Sequence, residues 1–457
     1  MTGARAANGD VLEPQQVIDV DLPLTDVAPG DEGYGLRTVS GDPLRRGPAS
    51  VLVRVHGSPV ARVSLQLPDG VDRATLFTAV HAAAADEIAA HLRGDGASEN
   101  GDQQGAGATS APQRCSARPR LPDPAPRATV VVPTVGREDL GPCLDSLLGQ
   151  DYPDFEIVVV DNSASTSQRD VLHGVLRGRT DPGGRLRHVV EPRPGVSFAR
   201  NRGLAEATGD VVAFVDDDVL VDRGWLRSMV AAFDTAPGVQ CVTGLVLPWQ
   251  LETPEQVWFE QYGGFGKGFS RRVFDLNRHR GDHVLYPYLP GQYGTGANIA
   301  FRAPFLRELG GFDPVLGRRP VVGGEDIDVL LRTVLSGASL VYEPQALLWF
   351  QPYRSYAAMR RQMLIYGRGL SAVILKAALA DRHVAWDIAR RLPAGVRFLL
   401  DPGSTKNAGK RDYPRDLTRR ELAGVLSGPV TYAWSRMRTR RDERAIKARG
   451  MSEAPPA

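Results

Sequence analysis

Two kinds of apolar pattern divide this chain, and the changes between them mark its architecture. Residues 17–22, Val-Ile-Asp-Val-Asp-Leu, alternate in part, and residues 34–39 offer a second β-prone run. Residues 49–56 and 60–67 flank a Gly57-Ser58-Pro59 turn and are expected to pair as a hairpin. From residue 74 to 92 the chain is rich in alanine, with Leu76, Val80, Ala84, Ile88 and Leu92 at helical spacing. Together these predict a small α+β domain over residues 1–93, which holds no recognisable catalytic constellation. Residues 94–127 follow, rich in Gly, Gln, Ser and Pro and poor in large apolar side chains. Such a segment cannot offset its ordering entropy, so a disordered linker is expected.

Buried strands and amphipathic helices alternate from residue 128 onward. Thr129-Val130-Val131-Val132 leads through Pro133 to a helix with Leu140, Cys143, Leu144, Leu147 and Leu148 on one face. A strand at residues 156–160 precedes a helix carrying Val171, Leu172, Val175 and Leu176, and a strand at 187–190 precedes a glycine turn at Gly195. Strand–helix alternation with right-handed crossovers gives a Rossmann-like, mostly parallel sheet flanked by helices, assigned to residues 128–355. No Gly-x-Gly-x-x-Gly follows the first strand, which weakens a nicotinamide or flavin reading. Residues 356–457 read as a helical C-terminal extension, with helices near 360–375, 384–400 and 417–441.

The most informative stretch is Asp210-Val211-Val212-Ala213-Phe214-Val215-Asp216-Asp217-Asp218-Val219. Five consecutive apolar residues read as a strand buried on both faces, and three carboxylates close its C-terminal end. Side chains alternate along an extended chain, so Asp216 and Asp218 are expected on one side and Asp217 on the other. Like charges this close raise each other's pKa unless a cation or a basic neighbour compensates. Ligands of open α/β sheets bind at the carboxyl ends of strands, where an Asp-x-Asp pair suits a hard divalent ion and phosphate oxygens. The competing reading is an acidic turn followed by a helix cap.

Bulk numbers narrow the class. A chain of 457 residues with 42% hydrophobic and 24% charged content has room for two or three domains and is ordinary for a globular protein. The formal net charge of +2 argues against a dedicated nucleic-acid binder. Cys115, Cys143 and Cys241 are odd in number and widely spaced, which is neither a disulfide framework nor a metal motif and favours a reducing compartment. No basic patch followed by an apolar stretch opens the chain, and no unbroken run approaches the roughly 18 apolar residues of a membrane span. A cytoplasmic location is therefore expected.

Seven motifs now stand in one order: Val132-Pro133-Thr134 with Arg137; Val158-Val159-Val160-Asp161-Asn162; Gly195-Val196-Ser197-Phe198-Ala199-Arg200-Asn201; Phe214-Val215-Asp216-Asp217-Asp218; Gly296-Ala297-Asn298-Ile299-Ala300-Phe301-Arg302; Gly310-Gly311-Phe312-Asp313; and Gly323-Gly324-Glu325-Asp326-Ile327-Asp328. Over residues 128–370 this order resembles glycosyltransferase family 2, the nucleotide-sugar transferases of GT-A fold. The resemblance implies inverting, metal-dependent transfer of a sugar from a nucleotide-diphospho-sugar to an acceptor hydroxyl on a glycan or lipid-linked glycan, as in cell-envelope or polysaccharide biosynthesis. It implies that Pro133, Thr134 and Arg137 cradle the nucleotide, that Asp161, with Asn162 beside it, accepts a hydrogen bond from the base, and that Asp216 and Asp218 hold Mg²⁺ or Mn²⁺. Asp217 would contact the ribose or a backbone amide, and Gly296 and Asn298 would close over the donor sugar. Asp326 would be the general base, with Glu325 beside it contacting the acceptor. For Arg200 two readings stay open: diphosphate binding, or a salt bridge to Asp216 or Asp218. The acidic start of the 325–335 helix also has a plain explanation in the helix dipole.

Residues 248–291 hold Trp258, Phe259, Tyr262, Phe265, Phe269, Phe274, Tyr286 and Tyr288 among several glycines. They read either as a mobile, acceptor-facing segment or as hydrophobic covering of the core. Where family members often carry a metal-completing histidine, this chain has Gln351, a poorer ligand, and His279 or His283 are candidates to replace it. The Gln-x-x-Arg-Trp signature of processive relatives is absent; Gln362-Met363-Leu364-Ile365-Tyr366 stands at a comparable distance. The basic run Tyr432-Ala433-Trp434-Ser435-Arg436-Met437-Arg438-Thr439-Arg440-Arg441 is either a solvated tail or a dock for anionic lipid at the inner face of the plasma membrane. Two other functions fit the architecture: a sugar-phosphate nucleotidyltransferase, and a non-catalytic sugar-nucleotide or glycan-binding protein derived from a transferase.

Overall fold

In the computed structural model, residues 13–22, 35–95, 115, 120–179, 181, 183–317, 323–410 and 413–448 are described. Most of the expected linker (96–114 and 116–119), Tyr34 of the second predicted strand and the extreme termini lie outside them. The N-terminal part forms a four-stranded sheet from β1 (Gln16–Leu22), β2 (Gly35–Thr38), β3 (Gly47–Val55) and β4 (Ser58–Leu67), ordered β2-β1-β3-β4. The predicted hairpin is present, with β3 and β4 antiparallel around His56-Gly57. Two helices, α1 (Arg73–Ala83) and α2 (Ala85–Gly94), stand where one was expected. The break at Ala84 leaves the apolar spacing intact, so Leu76, Val80, Ala84 and Ile88 all remain buried in one cluster with Val51, Val53 and Val55.

The opposite face of this small sheet is buried too. Leu52 joins a core cluster of the central domain, and Arg54, next on that face, is 6% exposed. Its guanidinium donates to Asp19 from Nε (2.7 Å) and Nη2 (3.0 Å), and Nη2 lies 2.8 Å from Asp222 Oδ2 beyond the sheet. Two carboxylates outweigh the burial penalty and raise its pKa. A backbone bond from Gln15 to Leu251 (2.8 Å) and an ion pair between Arg62 and Glu260 (2.6 Å) complete the docking.

The central sheet has nine strands. Its parallel half is built by β5 (Ala128–Thr134), α3 (Leu140–Leu148), β6 (Phe155–Asp161), α4 (Thr166–Arg177), β7 (Leu186–Val190), α5 (Val196–Glu206) and β8 (Val211–Val215). The strands lie in the order β8-β5-β6-β7 with every ladder parallel. The chain runs outward from β5 to β7, then returns to the other side of β5, so a crevice opens at the carboxyl ends of β5 and β8. The other half comprises β9 (Val219–Val221), α6 (Trp225–Ala231), β10 (Val239–Pro248), α7 (Pro254–Tyr262), β11 (Arg272–Phe274), β12 (Asn298–Arg302), α8 (Ala303–Glu308), α9 (Glu325–Leu335) and β13 (Ser339–Phe350). Here β12 runs antiparallel to both β8 and β10, and β10 runs parallel to β13. All five residues of β8 are buried, as their unbroken apolar character predicts.

Three helices follow: α10 (Tyr356–Ala380), α11 (Arg382–Leu400) and α12 (Arg415–Ala448). Glycines let α10 and α12 approach until backbones touch: a Cβ on Gly367 would sit 2.1 Å from Glu421 O, and one on Gly424 2.3 Å from Leu364 O. The expectation that no segment is long and apolar enough to cross a membrane needs correcting. By length and composition α10 meets that description. Unbroken apolar runs in it are short, but residues 363–380 carry only two charges, Arg368 and Lys376, which a span tolerates. In this fold α10 packs on α12 and seats the start of α9.

Arg54 is the test of the docking. Arg54→Met should cost about 1–3 kcal/mol in chemical denaturation, because it removes the donor shared by buried Asp19, which keeps Arg37, and half-buried Asp222. Arg54→Lys should recover little, since an ammonium cannot span both carboxylates as the planar fork does. A midpoint unchanged in both variants would remove the role.

Candidate active site

The residues expected at the donor do gather at the carboxyl ends of β5, β6 and β8, though not in the expected disposition. The extended conformation ends at Val215, so the alternation assumed for the three aspartates does not carry through them. Asp216 turns toward Arg200, with Oδ1 3.1 Å from Nη2. Asp217 and Asp218 turn instead toward Arg137, whose Nη1 lies 3.8 and 3.1 Å from them. Thr134 closes the β5–β8 crevice by donating its hydroxyl to Asp217 Oδ2 (2.6 Å). Burial, then repulsion from Asp216 and Asp217, pushes the pKa of Asp218 up to about 7. An all-oxygen set of crowded, self-repelling carboxylates is what a hard divalent ion neutralises, and the residues present fit such an ion.

Arg200 lies on α5 and is 3% exposed. It donates from Nη1 to Glu325 Oε1 (2.9 Å) and from Nη2 to Asp216 Oδ1 (3.1 Å), with Gly296 O 3.4 Å away. Its plane also stacks over Phe312, 5.2 Å from the ring centre. Of the two readings left open, the structure has the salt bridge to Asp216. It adds a partner the sequence had not indicated, Glu325 across the cleft. Burial and the neighbouring Asp326 raise the pKa of Glu325. Its second oxygen, Oε2, is buried without a hydrogen-bond partner.

Asp326 follows Glu325 in the first turn of α9, beyond Gly324, which takes the left-handed conformation (φ 95°). It accepts from Gly296 N (3.0 Å) and Ile327 N (2.8 Å). Gly296 can lie this close because it has no side chain: a Cβ there would sit 2.6 Å from Cβ of Asp326 and 3.1 Å from Arg200. The third acid of the motif, Asp328, points away and is tied to Arg332 and Lys376, both at 2.8 Å.

Other expected positions fare differently. Pro133 is the penultimate residue of β5, which ends at Thr134. Asp161, fully buried at the end of β6, accepts from Ser163 N (2.8 Å) and Arg169 Nε (3.2 Å). Burial opposes its ionisation, yet these hydrogen bonds keep its pKa below the ordinary value. Asn162 holds the following loop, donating to Glu191 O and Arg193 O and accepting from Gly195 N. Asn298 departs from the expected place over the donor. Fully buried, it donates to Leu245 O and Ala346 O (both 2.9 Å) and accepts from Trp225 Nε1 (2.8 Å), so its amide serves the core. Neither candidate replacement for a metal-completing histidine reaches the acidic cluster. His279 bonds Asp275 (2.7 Å), His283 packs on Phe398, and Gln351 bonds Gln250.

Arg200, Asp216, Glu325 and Asp326 line one cavity of about 410 Å³. Its far wall comes from Tyr353, from Gln362 and Tyr366 of α10, and from Glu421 of α12. Glu421 accepts from Tyr262 (2.7 Å) and Lys406 (2.6 Å). The aromatic stretch divides between the two readings offered for it. Trp258, Phe274, Tyr286 and Tyr288 are buried, while Phe259, Tyr262 and Phe265 also face this cavity. The wall residues from α10 and α12 were missed because no local motif marks them; the Gln362–Tyr366 spacing of four on one helix face was the only signal.

Comparison with known proteins bears on residues 129–310, which match the model described as Glycosyl transferase family 2. The chain is 28% identical over 228 residues to the glucosyl-dolichyl phosphate glucuronosyltransferase of Haloferax volcanii, covering 48% of this chain and 67% of that one. It is 32% identical over 154 residues to the pre-mycofactocin glycosyltransferase of Mycobacterium tuberculosis, covering 34% of this chain but only 29% of that one. The succinoglycan biosynthesis protein ExoM of Rhizobium meliloti is 28% identical over 234 residues, covering 50% and 67%. Among solved structures, the mannosyltransferase PcManGT of Pyrobaculum calidifontis, in complex with GDP-Man and Mn²⁺, aligns over 77% of this chain and 96% of its own, with 19% identity and a TM-score of 0.43.

Asp218 offers a metal-free test of the crowding. Its folded pKa of about 7 lies above the ordinary value of 3.8. The stability tied to its proton is therefore complete below pH 4 and lost as pH rises through 7. Asp218→Asn keeps a neutral group in place, so in chelator its melting temperature should gain on the wild type between pH 4 and pH 7, by on the order of 2 °C, and then level off. A gap independent of pH would show that the carboxylates do not repel as described.

Proposed function

We propose, from the match of residues 129–310 to the glycosyl transferase family 2 model, that the protein transfers a sugar from a nucleotide-diphospho-sugar to an acceptor hydroxyl with inversion at the anomeric carbon. One observation carries the proposal. The buried Arg200 spans from Asp216 on the donor side to Glu325 on the other, with Asp326 beside Glu325 in the same cavity. Leaving-group and acceptor chemistry would thus share one cleft.

Asp326 takes the proton from the acceptor hydroxyl as that oxygen attacks the anomeric carbon from the face opposite the diphosphate. The bond from that carbon to the diphosphate oxygen breaks, its electron pair leaves with the nucleoside diphosphate, and configuration inverts. The Gly296 amide, bonded to Asp326 Oδ2, and the Ile327 amide, bonded to Oδ1, fix the orientation of the base. Glu325 Oε2, buried and without a partner, is available to an acceptor hydroxyl. Arg200 holds positive charge between the carboxylates, and Arg137 does so beside Asp218 at the nucleotide side. Mg²⁺ or Mn²⁺ held by Asp216 and Asp218 would supply further positive charge against the departing diphosphate. Pro133, Thr134 and Asp161 would line the nucleotide.

The acceptor would be a glycan or lipid-linked glycan, entering beside Tyr262 and Lys267. These two also line a neighbouring recess of about 800 Å³. A lipid-linked acceptor calls for a membrane dock. On α12, Leu426, Val430, Trp434 and Met437 recur at helical spacing and are 80, 72, 53 and 59% exposed, with Arg436, Arg438, Arg440 and Arg441 around them. Apolar insertion with a basic surround fits peripheral binding to anionic lipid.

Asp326→Asn should lower turnover by roughly 10²–10⁴-fold while nucleotide-sugar, with Mg²⁺ or Mn²⁺, still raises the melting temperature. Undiminished transfer would exclude Asp326 as base, and a product of retained configuration by NMR would exclude single displacement. For the membrane arm, the chain should sediment with anionic but not neutral liposomes at low salt. The double variant Trp434→Ser, Leu426→Ser should stay in the supernatant, and absence of sedimentation by the wild type would remove the dock.

A further inference from the structure

Away from the cleft, four side chains from distant parts of the sequence converge at one end of the N-terminal sheet. His56 sits in the β3–β4 turn, His91 in the last turn of α2, Asp95 at the C-cap of α2, and Cys115 twenty residues further on. Asp95 Oδ2 lies 3.0 Å from His56 Nε2 and 3.4 Å from His91 Nε2, and Cys115 Sγ lies 3.4 Å from the same His91 nitrogen. All four ligand atoms fall within 4.8 Å of one another. An ion with tetrahedral bonds of about 2.0–2.3 Å sets its ligand atoms about 3.3–3.8 Å apart, so the cluster is already close to that size.

The directions of these groups matter as much as their distances. His56 Nε2 is buried 3.0 Å from a carboxylate oxygen and yet makes no hydrogen bond. The histidine side chains are 9 and 10% exposed and the Asp95 carboxylate 4%. His56 is also the one non-glycine residue with positive φ (40°) among the described residues, at a turn position where Asn or Gly is the usual choice.

We propose that His56, His91, Asp95 and Cys115 form a tetrahedral zinc site. Two imidazole nitrogens, one thiolate and one carboxylate suit Zn²⁺ over Mg²⁺ or Ca²⁺, which prefer all-oxygen shells. Four protein ligands leave no open position, so the site is structural. Binding releases the Cys115 proton, and Ser58 Oγ, 3.1 Å from Cys115 Sγ and fully buried, then donates to the thiolate. The ion fastens the β3–β4 turn, the end of α2 and the chain at Cys115 to one point.

The full chain, purified without chelator, should hold one zinc per molecule by mass spectrometry, in addition to anything bound at the acidic cluster. After stripping, titration with Co²⁺ should give intense visible bands of a tetrahedral ion and a near-ultraviolet thiolate-to-cobalt charge-transfer band. Cys115→Ser, nearly isosteric, should abolish the charge-transfer band and lower zinc affinity by at least about 100-fold, with far-ultraviolet circular dichroism unchanged. His91→Ala should weaken zinc similarly. The site is excluded if zinc is absent and the cobalt spectrum is weak and octahedral. Zinc affinity equal in wild type, Cys115→Ser and His91→Ala would exclude it as well.

Discussion

One buried guanidinium sets the layout of the cleft. Arg200 lies between Asp216 and Glu325, and without it the crowded acids at the end of β8 would face those at the start of α9 with no charge between them. Both carboxylates rest on rigid supports, one at the end of a fully buried strand and the other on the first turn of a helix. The arginine is fixed in turn by α5 and by its stacking on Phe312. An ion pair this buried carries a large desolvation cost, so it is weak evidence for stability in itself. Its effect is to hold the two halves of the cleft at a set separation before any substrate arrives.

Much of this was legible in the sequence because it is local. Unbroken apolar runs such as Val211 to Val215 name strands buried on both faces, and the acids that follow necessarily fall at a carboxyl edge. What the sequence misjudged depends on where regular structure stops. Alternation across Asp216, Asp217 and Asp218 was a sound rule applied one residue beyond its strand. Asn298 was matched by its motif, yet its side chain is spent on Leu245, Ala346 and Trp225, partners 48 to 73 residues away that no motif encodes. The Glu325 side of the Arg200 bridge was likewise invisible, because the two residues are 125 positions apart.

Long-range packing also explains the cavity wall and the histidine–cysteine cluster. Tyr366 and Glu421 belong to helices whose own sequences say only that they are helical. The backbone contact at Gly367 and Gly424 brings them against the cleft. His56, His91, Asp95 and Cys115 obey none of the usual ligand spacings; only the i, i+4 step from His91 to Asp95 is regular. A cysteine count taken along the chain could not foresee that Cys115 would lie against two imidazoles.

The Arg54–Asp222 contact carries a last consequence. Asp222 stands four residues after Asp218, and its carbonyl and carboxylate also anchor Gln150 and Gly224. The N-terminal sheet therefore grips the same short length of chain that presents the acids at the end of β8. The N-terminal part is thus fastened beside the acidic turn without itself lining the cavity.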